Sequence, residues 1–132
     1  MPRGLPTPDT CDVRCIHPAT VAAVRSRLVP LEDAQVVART FGVLADPSRL
    51  RLLQALLERE LCVCDLAAVL QMRQPAVSQQ LRILRAQDVV RVRKVGHIAY
   101  YALLDATITR LLTQALTTIP TPASEDAAAG AA

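Results

Sequence analysis

At 132 residues, 52% of them apolar and 20% charged, the chain has the size and composition of one globular domain with its own core rather than of a disordered segment. It lacks the run of about 18 uncharged apolar residues that a membrane helix needs, and its opening, MPRGLPTPDT, has no apolar export signal. A cytoplasmic protein with no membrane partner is therefore expected.

The net charge of +3 is held unevenly. Gln71 to Lys94 carries Arg73, Arg82, Arg85, Arg91, Arg93 and Lys94 against a single acid, Asp88, which leaves the rest of the chain at −2. A local excess of this kind is the electrostatic footprint of a nucleic-acid binder, against the blander alternative of a solvated positive face. With one Phe, two Tyr and no Trp, the stacking platforms of single-strand and many RNA binders are scarce, so double-stranded DNA is the expected partner.

In chain order, residues 1–17, with Pro2, Pro6 and Pro8, read as a flexible arm that carries Cys11 and Cys15. Pro18 opens a short helix through Leu28, and Pro30 ends it. Leu31 to Leu44 is a second helix with Val37, Phe41 and Leu44 on one face. Asp46 followed by Pro47 is a cap with proline at the first helical position, so a third helix runs to about Arg59 with Leu50, Leu53, Leu56 and Leu57 as its core stripe. A short helix from about Val63 to Leu70 and another from Gln74 to Ala86 follow, joined by QMR.

In the last of these, Val77, Leu81 and Leu84 share one face while Ser78, Gln79 and Arg82 point the other way. A short helix, a tight connection and a second helix with an apolar back and polar front form a helix-turn-helix, whose second helix enters the major groove. Arg73, Gln74, Ser78, Gln79 and Arg82 are the candidate base contacts, since Arg forks onto guanine, Gln onto adenine, and Ser reaches phosphate or base. VVRVRKVGHIAYYAL then alternates, with Val90 and Val92 inward and Arg91 and Arg93 outward, turns at Gly96 and resumes with Ile98 and Tyr100. This is a β-hairpin wing, whose Arg91, Arg93 and Lys94 can lie along phosphates. Asp105 to Ile119 is a closing helix with a broad apolar stripe, the expected half of a two-fold dimer interface, and residues 120–132 read as a disordered tail. The fold expected for 18–119 is mainly α with a β-hairpin wing: a dimeric winged helix-turn-helix.

Four cysteines remain, in a compartment where a disulfide framework is disfavoured and metal, redox or packing roles are open. In ELCVCDLA, Cys62 and Cys64 stand one residue apart at a helix start; in CDVRC, Cys11 and Cys15 stand four apart in an arm with no apolar context to bury a thiol. Soft divalent ions prefer thiolates, and four complete a tetrahedral shell of which each pair supplies half.

The segments FGVLADPSRLRLLQALL, ELCVCDLA, QPAVSQQLRILR and VRKVGHIAYYAL, in this order and spacing, resemble the ArsR/SmtB family of metal-responsive repressors, closest in pattern to the CadC-like sensors of cadmium, lead and zinc. The resemblance implies a dimeric winged helix whose metal-free form sits on operator DNA and is released when Cd(II), Pb(II) or Zn(II) binds. It implies Cys11, Cys15, Cys62 and Cys64 as the ligands, with each site bridging the two subunits. The chain departs from relatives of other specificity at two places. Ala67 stands where arsenic sensors carry a third cysteine of CVCDLC, and Thr107 and Thr118 stand where a second metal site on the last helix would need imidazoles beside Asp105. His17 is a weaker ligand candidate because four sulfurs already fill a tetrahedron, and His97 at the hairpin tip suits a turn or a phosphate contact. An arsenite-responsive or a redox- or persulfide-sensing repressor of the same fold is the alternative, and a thiol oxidoreductase fits less of the chain.

Overall fold

The computed structural model describes residue 11 and residues 13–120. Residues 1–10 and 12 of the expected arm and 121–132 of the expected tail lie outside the described residues. The chain divides into two compact units, one up to Val36 and one from Val37 onward. Among the described residues no helix is long and apolar enough to cross a membrane.

The first unit contains α1 (Pro18–Arg25), opened by its proline and ending three residues before Leu28, where the sequence suggests. The early stop has a local cause. Ser26 donates its hydroxyl to the Ala23 carbonyl at 2.8 Å, while the Arg27 and Leu28 amides turn back to carbonyls only three residues away, tightening the last turn. No residue of α1 is buried, and Val21, Val24 and Leu28 are exposed.

Helix α2 (Leu31–Leu44) carries Glu32 and Asp33 in its first turn, where they oppose the positive end of the helix dipole. Of its expected stripe, Val37 and Phe41 are 51% and 55% exposed; the residue that enters the core is Val43. Helix α3 (Pro47–Glu58) starts as its sequence demands, with the Asp46 carboxylate accepting from the Arg49 amide at 3.0 Å. Its buried face is Leu52, Leu53 and Leu56. Leu50 and Leu57 are only partly covered, so the stripe is rotated from the expected one towards Leu52.

The helix-turn-helix follows as expected, α4 (Val63–Leu70) and α5 (Gln74–Ala86). Gln71 takes the left-handed conformation (φ 54°) that closes α4, and the Met72 amide returns to the Ala67 carbonyl at 3.0 Å, so three residues suffice for the turn. Leu66, Val77, Leu81 and Leu84 are all fully buried. Each is worth about 1.5–3 kcal/mol, whereas an exposed ion pair contributes at most about 1, so apolar packing holds α4 against α5.

The wing is β2 (Val90–Val95) and β3 (Ile98–Leu103), joined by Gly96 (φ 62°) and His97. It acquires a third strand not expected from the sequence, β1 (Leu61–Cys62), giving the antiparallel order β1-β3-β2. The register decides which face each residue of β3 takes. Val90 pairs with Leu103 and Val92 with Tyr101 on the core side, whereas Arg93 pairs with Tyr100 and Val95 with Ile98 on the other. A two-residue turn makes Val95 and Ile98 direct partners, which puts Ile98 and Tyr100 on the arginine face and Tyr101 and Leu103 against the core. Helix α6 (Ala106–Leu116) is capped by Asp105, which accepts from the Thr107 and Ile108 amides at 2.9 and 3.1 Å; it buries Ile108 and Leu112 and ends short of Ile119.

Candidate nucleic-acid interface and thiol site

Helix α5 positions the proposed reading residues by its apolar back: with Val77, Leu81 and Leu84 locked in the core, the opposite face is forced outward. Gln74, Ser78 and Arg82, spaced by four, form one row along it. Gln74, Gln79 and Arg82 are exposed and Ser78 is half-buried, while Arg73 is exposed just before the helix, in the N-cap position. Gln80, half-buried, accepts from the Arg49 Nε of α3 at 3.4 Å and so belongs to the helix–helix contact rather than to the outer face.

The thiols Cys62 and Cys64 stand at the start of α4, in the same two-helix unit. Cys62 is the N-cap of α4 and simultaneously a member of β1, paired with Tyr100; Cys64 lies in the first turn of α4 and is exposed. Both are free thiols, as are Cys11 and Cys15, which are exposed. Among the described residues no three His, Cys, Asp or Glu side chains gather into one group. Cys62 and Cys64 by themselves offer two soft sulfurs beside the unpaired amides of a helix start, a setting that suits anionic ligands. The Gln74 Nε2 donates to the Cys64 Sγ at 3.4 Å, joining the first residue of α5 to this pair.

On the wing, the expected bare row of cations is partly occupied. Glu60, immediately before β1, receives a hydrogen bond from the Arg93 Nη2 and another from its Nε at 3.2 Å, and its second oxygen lies 3.8 Å from the Arg91 Nη1. The Arg93 guanidinium also sits over the Tyr100 ring, 5.3 Å from its centre. Lys94 is exposed. The Arg93 hydrogen bond holds the Glu60 carboxyl below its ordinary pKa, with the charges of Arg93 and Arg91 adding to the effect and desolvation opposing it. Because the folded-state pKa is the lower one, this contact contributes stability above the ordinary glutamate value and loses it as pH falls through the depressed value. In a carbon-detected NMR titration Glu60 should titrate below the ordinary glutamate range and return to that range in Arg93→Gln. An unshifted Glu60 would refute the pairing.

Residues 46–92 match the family model described as "Bacterial regulatory protein, arsR family". A transcriptional repressor SmtB homolog from Synechocystis is 50% identical over 95 residues, which make up 72% of each chain. The chain belongs to the ArsR/SmtB family. A cadmium resistance transcriptional regulatory protein CadC homolog from Staphylococcus aureus is 34% identical over 83% of this chain and 90% of its own. Among solved structures, the AntR antimony-specific transcriptional repressor superposes with a TM-score of 0.66 at 38% identity, covering 69% of this chain and 83% of that one. As an ArsR/SmtB-family protein the chain is a winged-helix transcriptional regulator and not an enzyme.

Three residues of the site escaped the sequence reading: Glu60 as the partner of the wing arginines, Tyr100 on their face, and Gln74 as a neighbour of Cys64. The paired register of a two-residue hairpin would have placed Tyr100 beside Arg93. No local pattern signals the Glu60 contact, which joins residues 33 apart.

Proposed function

We propose that this ArsR/SmtB-family protein is a metal-responsive repressor: a homodimer that binds double-stranded operator DNA when metal-free and leaves it when Cd(II), Pb(II) or Zn(II) binds Cys11, Cys15, Cys62 and Cys64. The observation that carries this reading is the placement of Cys62 and Cys64 at the start of α4, the helix packed on the reading helix α5, with Cys64 in contact with Gln74. The relatives named for cadmium resistance and as an SmtB homolog support a metal as the signal. On this reading 1–17 is the ligand-bearing arm, 18–119 the winged-helix domain and 120–132 a tail, and the protein works in the cytoplasm.

Arg73, Gln74, Ser78, Gln79 and Arg82 read base edges, while Arg91, Arg93 and Lys94 take phosphates, the two arginines exchanging Glu60 for DNA. The dimer uses the exposed apolar surface of the second unit, a groove of 480 Å³ lined by Phe41, Leu44, Leu111 and Ala115 among others. A second copy presenting the same face would cover it. Four thiolates around a divalent ion carry a formal −2, created beside a helix that must approach phosphate. Tethering the arm restricts the two reading heads as well. Together these need supply only about 1 to 3 kcal/mol, the usual size of allosteric coupling.

A second reading, a trivalent arsenic or antimony sensor, is favoured by the likeness to AntR. It would have to recruit an arm cysteine, because position 67 is alanine and is buried in the core. One experiment separates these: anaerobic titration of the operator complex with Cd(II), Pb(II), Zn(II), arsenite, antimonite, and, without metal, polysulfide and peroxide, followed by anisotropy. We expect release by a soft divalent ion at one equivalent per chain, with intense sulfur-to-metal absorption for cadmium. Release by the trivalent ions alone, or by polysulfide or peroxide without metal, overturns the divalent assignment, and two tight equivalents per chain overturn the single site.

A further inference from the structure

We propose that the chain has a second binding site, for a small organic anion: a carboxylate or phosphate carried on an apolar body. The site goes beyond the repressor reading and does not depend on it. It is a cavity of about 560 Å³ bordered by α2, the start of α3, the end of α5 and the start of α6. It holds neither thiol and shares no lining residue with the groove assigned to the second copy. Its volume lies within the roughly 300–1,000 Å³ of small-molecule sites. Val43, Val89 and Ile108, all buried in the core, give it an apolar wall, and Arg39, Arg49 and Gln87 border the same space with polar groups. An apolar cavity with a few convergent polar groups is the usual form of a ligand site.

The charge of this cavity is positive and uncommitted. Arg49 is half-buried and anchored through Nε to the Gln80 oxygen at 3.4 Å, while neither of its Nη nitrogens has an acceptor among the described residues. Arg39 is exposed, and among the described residues its guanidinium has no hydrogen-bond or ion-pair partner. Asp105 lines the cavity as well, but its Oδ1 accepts from the Thr107 and Ile108 amides and it pairs with neither arginine. Two cations therefore face one carboxylate that a helix start already engages. Guanidinium forks match carboxylate and phosphate oxygens two at a time, and the wall beside them suits the apolar body. Gly42, in the last turn of α2, borders the same space, and a Cβ added there would meet nothing within 4 Å. Neither a left-handed φ nor a close neighbour calls for glycine at this position, and alanine is the better helix former. What the missing side chain provides is room.

The test uses full-length protein, first without DNA, and follows backbone amide and arginine Nε signals by nitrogen-15 NMR. Phenyl phosphate and benzoate are the probes, benzyl alcohol is the uncharged comparison, and inorganic phosphate is the anion with no apolar body. Both aromatic anions should shift the Val43, Gln87 and Val89 amides saturably and bind about tenfold tighter than benzyl alcohol, the size of one charge-assisted hydrogen bond. Inorganic phosphate should bind more weakly than phenyl phosphate. Arg39→Gln, at an exposed position, and Arg49→Lys, which keeps the charge but loses the fork, should each weaken phenyl phosphate about tenfold. Gly42→Leu should fill the space without removing a charge and abolish the shifts; its amide spectrum reports whether it folds, and the two arginine variants decide the matter if it does not. Absence of a saturable shift overturns the site, as does unchanged binding in both arginine variants. Inorganic phosphate binding as tightly as phenyl phosphate leaves an adventitious ion only. Finally, a duplex selected by the wild type from a random library is added to the phenyl phosphate complex. Both should bind together; displacement of the probe, with weaker duplex binding by Arg39→Gln, gives these arginines to a DNA phosphate and overturns the small-molecule site.

Discussion

Cys62→Ser and Cys64→Ser each leave the metal-free protein on its operator and remove the response to metal. Serine is nearly isosteric with cysteine, Cys62 joins β1 to Tyr100 through backbone pairing, and Cys64 is exposed, so neither change disturbs the fold or the outer face of α5. The serine oxygen still accepts a hydrogen bond from Gln74, which keeps the metal-free reading helix as it is. What disappears is a soft ligand, since a hydroxyl is a hard and weak donor to cadmium or lead. Even groups that merely orient a metal ligand are worth about 10 to 100-fold in affinity, so losing a ligand outright should exceed about 100-fold. The whole coupling of about 1 to 3 kcal/mol goes with it. Anisotropy with and without cadmium measures both quantities. Loss of operator binding by the metal-free variants would place these cysteines in the reading head itself, and release at wild-type cadmium concentrations would remove them from the ligand set.

The second large effect is all-or-none. We expect a site that bridges the dimer, Cys11 and Cys15 of one chain with Cys62 and Cys64 of the other, because only a bridge ties two reading heads together. Mix one chain carrying Cys11→Ser and Cys15→Ser with another carrying Cys62→Ser and Cys64→Ser. A bridging geometry restores one complete four-sulfur site in the heterodimer, built from the intact arm of one chain and the intact helix of the other. Sites confined to one chain restore none. The charge-transfer intensity of the purified heterodimer under cadmium decides between half the wild-type signal and nothing, and nothing would end the bridging proposal.

The sequence by itself determined the elements whose signals are local. Val77, Leu81 and Leu84 recur at the helical period, Asp46–Pro47 carries its own cap, and Gly96 sits where a two-residue turn needs positive φ; each was legible because the cause lies within a few residues of the effect. The basic segment and the paired cysteines were legible for the same reason, being compositional. Only the tertiary structure decided the rest. Leu61 and Cys62 form a strand because β3 offers an edge about 40 residues away, not because two residues encode one. Tyr101 rather than Tyr100 enters the core because register, which flips faces on a one-residue slip, is set by the turn and the packing together. Val37 and Phe41 satisfy the helical period yet stay exposed, since periodicity defines a face and not what covers it. Glu60 meets Arg93, and Gln74 meets Cys64, for a related reason: polar side-chain contacts follow from where the folded backbone brings their elements, and no pattern along the chain announces them.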